Sequence, residues 1–373
     1  MRIALLNRRF DPHGGGTERD LIITARILAR AGHTVTVYAS EIRGDSTEFN
    51  FKRVGLRRVG RALGLLSFAY AAPSVARRDG SDLVVSFARV VGADVLRSGG
   101  SAHASYLRAS RQWVSAARAF SMTVSPYHRI QMHVERAGFS SARLKLAVAV
   151  SDFVRHDLIS QFDLDPEKVV TVYNGVDSER FRPAVDDSAR HEVRKKFGIP
   201  DDVRLVVFVG NGFGRKGLGC LIDAWPKVRH DAHLLVVGSD RAAASFRVRA
   251  ERLGAGDRIH FAGPQPAVER IFQAADAFAM PSMFEPFGNV VLEAMASGLP
   301  AVASAVCGVA EVMPREFANL IVRSPTNADE VAYAVYEACS MRGPVREIAR
   351  ATAERFTWDA YGTRLVEVLE SIG

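Results

Sequence analysis

The chain has 373 residues, which is long for one domain and suits two of ordinary size. Its content of 48% hydrophobic and 24% charged residues is that of a soluble globular protein and excludes a disordered one. No apolar run approaches the ~18 residues of a bilayer-spanning helix, and the opening stretch is too short for a secretory signal. The three cysteines lack a CxxC spacing, which favours a reducing cytosol over a disulfide framework or zinc site: Cys220, Cys307 and Cys339.

Charge is distributed unevenly along the chain. Residues 1–173 hold 25 Lys and Arg against 15 Asp and Glu, whereas the remaining 200 residues hold 24 against 26. A basic first half suggests an anionic partner, such as a membrane surface, a phosphorylated glycolipid or a nucleic acid. Nucleic acid is the least favoured of these, because no aromatic and basic cluster resembles an RNA-binding signature.

The first elements predict a βαβ unit with a triple glycine at its turn. Residues 2–7 are typical of a buried strand, and residues 34–39 alternate as a second one. Between them, Thr17 and Asp20 have capping-box spacing after the glycines 14–16. Glycines at such a turn let the backbone approach phosphate or sugar closely, although the Lys-Ser/Thr of a P-loop is missing. The alternative is a flexible turn without a ligand.

Two basic stretches follow in the first half. The first, over 51–64, is most simply an exposed loop or short helix with cations at Lys52, Arg53, Arg57, Arg58 and Arg61. The second, over 104–121, predicts a helix with one basic and one aromatic face if it is continuous. Its basic face would hold Arg108, Arg111 and Arg118, and its aromatic face Tyr106, Trp113 and Phe120. Such a helix either packs its aromatics on the core or lies on an anionic membrane surface.

The remaining pattern alternates between strands and helices. In the first half, strands are predicted at 83–87, 146–150 and 169–173, and an interdomain linker from 174 to about 200. In the second half, they are predicted at 204–210, 233–238, 258–263, 277–281, 300–304 and 319–323. Such alternation favours two doubly wound α/β domains with parallel sheets and a cleft between them. Ligands bind these sheets at the carboxyl ends of the strands.

Residues 212–217 match the G-x-G-x-x-G pattern between a predicted strand and a helix. Asp240 lies at the end of the next strand, so a dinucleotide site and a dehydrogenase are one interpretation. Against it, the turn carries Arg215 and Lys216, which suit a diphosphate leaving group better than a dinucleotide. A basic loop without a ligand is the third possibility.

Residues 284–298 place two carboxylates around the start of a helix. A helix is predicted to open near Asn289 and to end before Gly298, with Glu285 in the preceding loop and Glu293 about a turn inside. A helix N-terminus attracts phosphate, whereas carboxylates repel it. Glu285 and Glu293 therefore suit neutral hydroxyls on either side of a phosphate, as in a nucleotide sugar. The alternative is an ordinary exposed Glu on a surface helix.

Taken together, four motifs make the chain similar to the retaining glycosyltransferases of the GT-B fold, glycosyltransferase group 1 and family 4. The motifs are Glu285-x7-Glu293, residues 212–217, residues 174–181 and the glycines 14–16. The resemblance implies two doubly wound, Rossmann-like domains facing each other across a cleft. Residues 1–175 would bind the acceptor, residues 176–357 the nucleotide sugar, and residues 358–373 would cross back onto the first domain.

The resemblance also implies roles for named residues. Glu285 would hold the hydroxyls of the donor sugar, and Glu293 the ribose. The diphosphate would be bound by Gly214, Arg215 and Lys216, with help from the helix start at Gly288, Asn289, Val290 and Val291. The first domain would contribute Gly15, Gly16 and Asp20. Catalysis is assigned to Glu285, Lys216, Arg215 and His103. Many members place a histidine or aspartate after the strand near residue 95 to contact the acceptor, and residues 97–103 offer only His103 for this role.

Within this family the chain resembles the lipopolysaccharide-core glucosyltransferases, on the evidence of residues 15–20, 213–217 and 305–308. This resemblance implies transfer of glucose from UDP-glucose to an inner-core heptose, with retention and without a metal, by a monomer on the inner face of the cell membrane. The leaving phosphate would receive the acceptor proton, and the segment around 103–135 would contact the membrane. A nucleotide-sugar epimerase of the same fold and an NAD-dependent dehydrogenase are the alternatives.

Overall fold

The computed structural model describes residues 1–12, 14–43, 49–55, 60–229 and 231–373. These form two compact units. Unit 1 comprises Met1–Arg111, Ser115–Tyr173 and Trp358–Gly373, and unit 2 comprises Gln112–Val114 and Asn174–Thr357. The first boundary lies two residues before the predicted position 175, and the second falls at the predicted 357.

Unit 1 is built on one parallel sheet. Its strands are β1 (Arg2–Leu6), β3 (Thr34–Ala39), β5 (Asn50–Arg53), β6 (Leu83–Ser86), β7 (Val95–Ser98), β8 (Leu146–Ala149) and β9 (Val169–Thr171), with a separate small pair, β2 (Arg9–Phe10) and β4 (Glu41–Ile42). Its helices before the boundary are α1 (Gly16–Arg30), α2 (Gly60–Arg78), α3 (His103–Ser110), α4 (Ala116–Val124), α5 (Pro126–Phe139) and α6 (Asp152–Phe162).

The strand order in unit 1 is β5-β3-β1-β6-β7-β8-β9, and every pair is parallel. The order grows outward in both directions from β1, so right-handed crossovers place helices on both faces. Strands buried on both faces explain the continuous apolar runs in β6 and β8, all of whose residues are buried. The unit is therefore doubly wound, as predicted.

Unit 2 repeats this design. Its strands are β10 (Arg204–Val209), β11 (Ala232–Val237), β12 (Ile259–Gly263), β13 (Ala277–Met280), β14 (Ala301–Ser304) and β15 (Ile321–Val322). Its helices are α7 (Ser188–Phe197), α8 (Leu218–Ala224), α9 (Ala243–Arg252), α10 (Val268–Ala274), α11 (Asn289–Ala296), α12 (Ala328–Ser340) and α13 (Val345–Ala353). The parallel order β12-β11-β10-β13-β14-β15 is again doubly wound, and all six strands match the sequence prediction.

The last helix, α14 (Trp358–Glu370), belongs to unit 1. The hydroxyl of Tyr361 lies 2.8 Å from the hydroxyl of Thr24 on α1. Gly362 allows the two helices to approach closely, because a Cβ there would lie 2.8 Å from the side chain of Ile27. The C-terminal helix thus completes the core of the first unit.

One predicted helix is broken in two. The prediction of a continuous helix over 104–121 is wrong, because α3 ends at Ser110 and α4 begins at Ala116. The hydroxyl of Ser115 accepts a hydrogen bond from the amide of Arg118 and so caps a new helix start. The predicted aromatic face does not form: Tyr106 stacks on His103, whereas Phe120 is 69% exposed.

The predicted linker over 174–200 is also wrong for much of its length, because residues 188–197 form α7. Ala189 and Val193 on this helix are buried. The buried guanidinium of Arg194 donates to the Asp276 carboxylate at 3.1 Å and to the carbonyl of Pro200. The turn residues therefore lead into a packed helix of unit 2.

Two smaller predictions in unit 1 also need correction. The helix start near Thr17 uses no capping box, since Gly15 is the N-cap of α1 and makes no side-chain hydrogen bond. The basic stretch 51–64 is not one loop, because β5 includes Lys52 and Arg53, and Arg61 lies in α2, with its guanidinium 5.1 Å from the ring centre of Tyr127. Arg57 and Arg58 lie outside the described residues. No helix within the described part of the chain is long and apolar enough to span a bilayer.

Candidate active site

The glycine loop after β10 brings two cations to the end of β13. Gly217 has a φ of +80°, and a Cβ there would lie 1.8 Å from the carbonyl oxygen of Pro281. Only glycine tolerates both the left-handed backbone and this close approach. The amide of Met283 donates to the carbonyl of Arg215 at 2.8 Å, which joins this loop to the loop after β13. Arg215 and Lys216 are thereby fixed beside the stretch that carries Glu285.

Arg215, Lys216 and Glu285 form one cluster. Arg215 Nη1 donates to Glu285 Oε2 at 2.6 Å, and Lys216 Nζ donates to the same oxygen at 3.1 Å. Glu285 Oε1 makes no hydrogen bond to any described residue. Two cations on one carboxylate oxygen leave the cluster with one excess positive charge and one open acceptor.

The backbone holds Glu285 in place. Its amide donates to the carbonyl of Val306 at 3.1 Å, and its carbonyl accepts from the amide of Gly308 at 3.0 Å. Burial alone raises the pKa of Glu285, but the charges of Lys216 and Arg215 outweigh burial and hold that pKa below its ordinary value. The carboxylate is therefore ionised and can accept hydrogen bonds from hydroxyl groups.

Helix α11 begins immediately after this cluster. Its N-cap, Gly288, has a φ of +98°, and a Cβ there would lie 2.7 Å from the sulfur of Cys307. The amide of Val291 already donates to the carbonyl of Gly288 at 2.9 Å, so Asn289 and Val290 present the better placed amides. An anion beside the helix start would meet these amides and the positive end of the helix dipole.

Two further polar residues belong to this region. Glu293 lies one turn inside α11 and is buried, and its assignment to a ribose stays a prediction. Asn174 was missed by sequence reasoning as a site residue: it is buried, and its Nδ2 donates to Asn289 Oδ1 at 2.9 Å. The Asn-Gly pair at 174–175 indicated only a turn, because its partner lies 115 residues further along the chain.

Asp240, the acidic residue that the dinucleotide interpretation needs, is bonded to the backbone of its own unit. Asp240 Oδ2 accepts from the amide of Phe213 at 2.8 Å, and Oδ1 accepts from the amide of Ala242 at 2.7 Å. The carboxylate that would hold a ribose in a dehydrogenase therefore stabilises the glycine loop instead. This geometry disfavours the NAD alternative.

The predicted donor-site residues of unit 1 are distant in sequence from the Arg215–Lys216–Glu285 cluster. Gly15 and Gly16 open α1, and a Cβ on Gly16 would meet no described heavy atom within 4 Å. Asp20 is buried, and its Oδ2 accepts from Arg97 Nη2 at 3.0 Å. Arg97 Nε also donates to the hydroxyl of Tyr361 at 3.2 Å. The contribution of Gly15, Gly16 and Asp20 to the donor site stays a prediction.

His103 is buried at the first position of α3. Its Nε2 lies 2.8 Å from Nδ1 of His128, and its ring stacks on those of His128 and Tyr106. Burial lowers its pKa to about 4, assisted by the charge of Arg89 and by His128, so the ring is neutral. Its role as an acceptor contact stays a prediction.

The expectation of a metal-free site also assumed that the chain has no Asp-x-Asp triplet, which is wrong, because residues 163–165 form one. Asp163 has a φ of 52° and ends α6, and Asp165 accepts a hydrogen bond from the amide of Glu167. Within the described ranges, no group of three or more His, Cys, Asp or Glu side chains is placed to hold a metal ion. The three cysteines are buried and free.

Two protein-family models together match most of the chain. The model for glycosyltransferase family 4 matches residues 14–180, and the model for glycosyl transferases group 1 matches residues 189–355. The first segment covers the sheet of unit 1 except β1, and the second covers the sheet of unit 2.

Individual relatives agree with these matches. The uncharacterized glycosyltransferase MJ1607 of Methanocaldococcus jannaschii is 31% identical over 59% of this chain, which spans 58% of that relative's length. The lipopolysaccharide glucosyltransferase WaaG of Escherichia coli is 26% identical over 93% of this chain and 92% of its own length.

Solved structures agree as well. A crystal structure of WaaG superimposes with a TM-score of 0.80 and 25% identity, covering 98% of this chain and 99% of that one. Anabaena HepE, crystallised with UDP and glucose, shares the fold with a TM-score of 0.74 and 19% identity over all of both chains. The chain therefore belongs to the glycosyltransferases of the GT-B type, with a family 4 and a group 1 domain. It is a transferase.

Proposed function

We propose that the protein transfers glucose from UDP-glucose, with retention of configuration, to a heptose of a membrane-linked saccharide such as the lipopolysaccharide inner core. The observation that carries this proposal is the convergence of Arg215 and Lys216 on Glu285 beside the start of α11. Support comes from the similarity to WaaG along almost the whole chain and from HepE, whose structure holds UDP and glucose.

The cluster suits the chemistry of a diphosphate leaving group. The bond between the hexose C1 and the β-phosphate oxygen breaks, and the acceptor hydroxyl oxygen bonds to C1 on the same face. The acceptor proton passes to the departing phosphate, so the step needs no strong base from the protein. Arg215, Lys216 and the amides of α11 stabilise the charge that develops on the phosphate. In this proposal Glu285 Oε1 accepts hydrogen bonds from the hexose hydroxyls.

We expect this transfer to proceed without a metal ion, since fixed cations and helix amides replace the charge that Mg²⁺ supplies in other transferases. The rate should be unchanged after dialysis against EDTA. A strict requirement for a divalent ion would contradict this part of the proposal.

The acceptor is membrane-linked, so the enzyme is proposed to lie peripherally on the inner face of the cell membrane. Phe120 and Val124 on α4 are exposed, and exposed arginines at 118 and 129 lie near them in sequence. Exposed apolar side chains with basic neighbours are typical of helices that lie on anionic lipid. Replacing Phe120 with Ser should weaken sedimentation with vesicles that contain phosphatidylglycerol.

The proposal is tested with radiolabelled UDP-glucose and purified lipopolysaccharide whose core ends in heptose. Transfer of label to lipid, with release of UDP, is expected. Consumption of UDP-glucose without acceptor would favour the epimerase. A parallel thermal-shift series with UDP, GDP and NAD should show stabilisation by UDP, and stabilisation by NAD alone would favour a dehydrogenase.

A further inference from the structure

Unit 1 contains a cavity that is lined by none of the predicted site residues. It has a volume of about 250 Å³ and lies where β6 and β7 end, beside the backbone of residues 98–100. The carboxyl ends of parallel strands are the usual place for a ligand in such a sheet. The volume is below the ~300–1,000 Å³ of pockets for drug-sized ligands, so one sugar ring fits better than an oligosaccharide.

A buried ion pair forms one wall of this cavity. Glu135 is 4% exposed, and its Oε1 accepts from Arg89 Nε at 2.9 Å. Its Oε2 accepts from the backbone amide of His103 at 2.7 Å, so the first amide of α3 also stabilises the charge. Each carboxylate oxygen is thus fixed by one donor and keeps a lone pair for a further hydrogen bond.

Arg89 presents the complementary groups. Its side chain is 36% exposed, and neither of its η nitrogens makes a hydrogen bond to a described residue. The wall therefore offers fixed donors and fixed acceptors side by side. A sugar hydroxyl can donate and accept at once, so it matches this arrangement.

The charge of the cavity argues for an uncharged ligand. Arg89 is balanced by Glu135, and Arg97, the other lining cation, is balanced by Asp20. A phosphate or carboxylate would add a negative charge close to the buried Glu135, which costs free energy. Phe87, Leu96 and Phe139 are among the apolar residues of the lining, which suits the C–H face of a sugar ring.

We propose that the Arg89–Glu135 pair selects the acceptor by binding the hydroxyls of one uncharged pyranose ring in this cavity. The proposal rests on the proposed function for its place in the reaction, as the site of the ring that receives glucose. His103 contributes through its backbone amide, which positions Glu135.

Binding of methyl α-D-mannopyranoside, measured by saturation-transfer difference NMR, tests the proposal without turnover. The wild-type protein should give signals from the ring protons, and Arg89→Gln and Glu135→Gln should lose them. The Arg364→Gln variant is the matched control, because Arg364 and Glu367 form an ion pair in unit 1 in which both side chains are exposed. Absence of signal from the wild-type protein, or equal signal from Arg89→Gln, would overturn the proposal.

A second arm distinguishes a neutral ring from an anion. Mannose 6-phosphate should bind no better than the neutral glycoside, and tighter binding that depends on Arg89 would assign the cavity to phosphate and overturn the proposal. Arg89→Lys, which keeps the charge, should retain the fold and still lose most of the signal, because a lysine lacks the planar fork. Thermal unfolding of each variant separates loss of binding from loss of fold.

Transfer kinetics relate the cavity to the proposed reaction. Arg89→Gln should raise the KM for heptose-terminated lipopolysaccharide roughly tenfold to a hundredfold, the range for a hydrogen bond to a charged group, with the KM for UDP-glucose unchanged. Equal changes in both constants would contradict an acceptor role. A wild-type protein that binds the glycoside through Arg89 but transfers no glucose would instead contradict the proposed function alone.

Discussion

Each unit holds an arginine against a carboxylate, but the two clusters differ in what they leave open. In unit 1, the Arg97 side chain is 1% exposed, and its nitrogens bond to Asp20 and Tyr361. In unit 2, Arg215 is 27% exposed and shares one oxygen of Glu285 with Lys216. A closed, balanced pair holds the fold together, whereas an open cluster with an excess cation is suited to bind an anion.

Two carboxylates with similar sequence contexts, Asp20 and Glu285, differ in the same way. Asp20 lies near the start of α1 and Glu285 lies just before α11, each close to a glycine turn. The resemblance assigns both residues to the donor site. Asp20 faces a buried guanidinium from β7, and Glu285 faces two partly exposed cations. Substitutions at the two clusters should therefore affect different properties.

The largest effect is expected at Asp20. Asp20→Ala leaves Arg97 buried without its counter-charge, so the free energy of unfolding should fall by about 3–5 kcal/mol. Urea unfolding measures the change. Asp82→Ala, which removes an exposed partner of Arg2, is the control and should change the free energy of unfolding far less. Unchanged stability of Asp20→Ala together with weakened UDP binding would place Asp20 in the donor site instead.

Lys216→Ala should have its effect on rate. Loss of one fixed cation beside the leaving group should reduce kcat by ~10²–10³-fold, with little change in the unfolding midpoint. Lys227→Ala is the matched control, because Lys227 is exposed and pairs with Asp329 on the surface of the same unit. A wild-type kcat in Lys216→Ala would contradict the electrostatic role assigned to the open cluster.

The smallest effect concerns pH. His103 has a pKa of about 4 in the folded protein against 6.5 for an ordinary histidine, so the unfolded chain takes up the proton first as pH falls. Stability is therefore complete above pH 6.5 and decreases toward pH 4, by about 1 kcal/mol between pH 6.5 and 5.5.

His103→Asn should flatten this part of the stability profile, as measured by urea unfolding at several pH values. Lowered pKa values at His128, His233 and His260 account for the slope that remains. His191→Asn, at an exposed position, is the control and should keep the wild-type profile. An unchanged profile in His103→Asn would show that its ring is not held neutral by burial.

The sequence predicts local features of this protein well. Strands of both sheets, the glycine loop and the start of α11 depend on neighbouring residues, and so does the grouping of Arg215 with Lys216. Glu285 joins them because its motif follows a strand adjacent to β10 in the sheet. The basic and aromatic spacing over 104–121, however, continues through Ser115. It could not reveal that the hydroxyl of Ser115 caps the start of a second helix.

Distant pairings could not be predicted from spacing. Asp20 meets Arg97 across 77 residues, Arg89 meets Glu135 across 46, and Asn174 meets Asn289 across 115. Each pair forms only because the sheet order brings separate elements together. One signal was present, since Glu135 is the single acidic residue in the basic helix α5, which also carries Arg129 and Arg136.

The configuration of the transferred glucose tests the central claim most directly. Proton NMR of lipopolysaccharide glucosylated from UDP-glucose, whose anomeric bond is α, gives the configuration of the new linkage. An α-linked glucose on heptose is predicted, because the departing phosphate and the open cluster of unit 2 direct attack to the same face. A β-linked product would contradict the account.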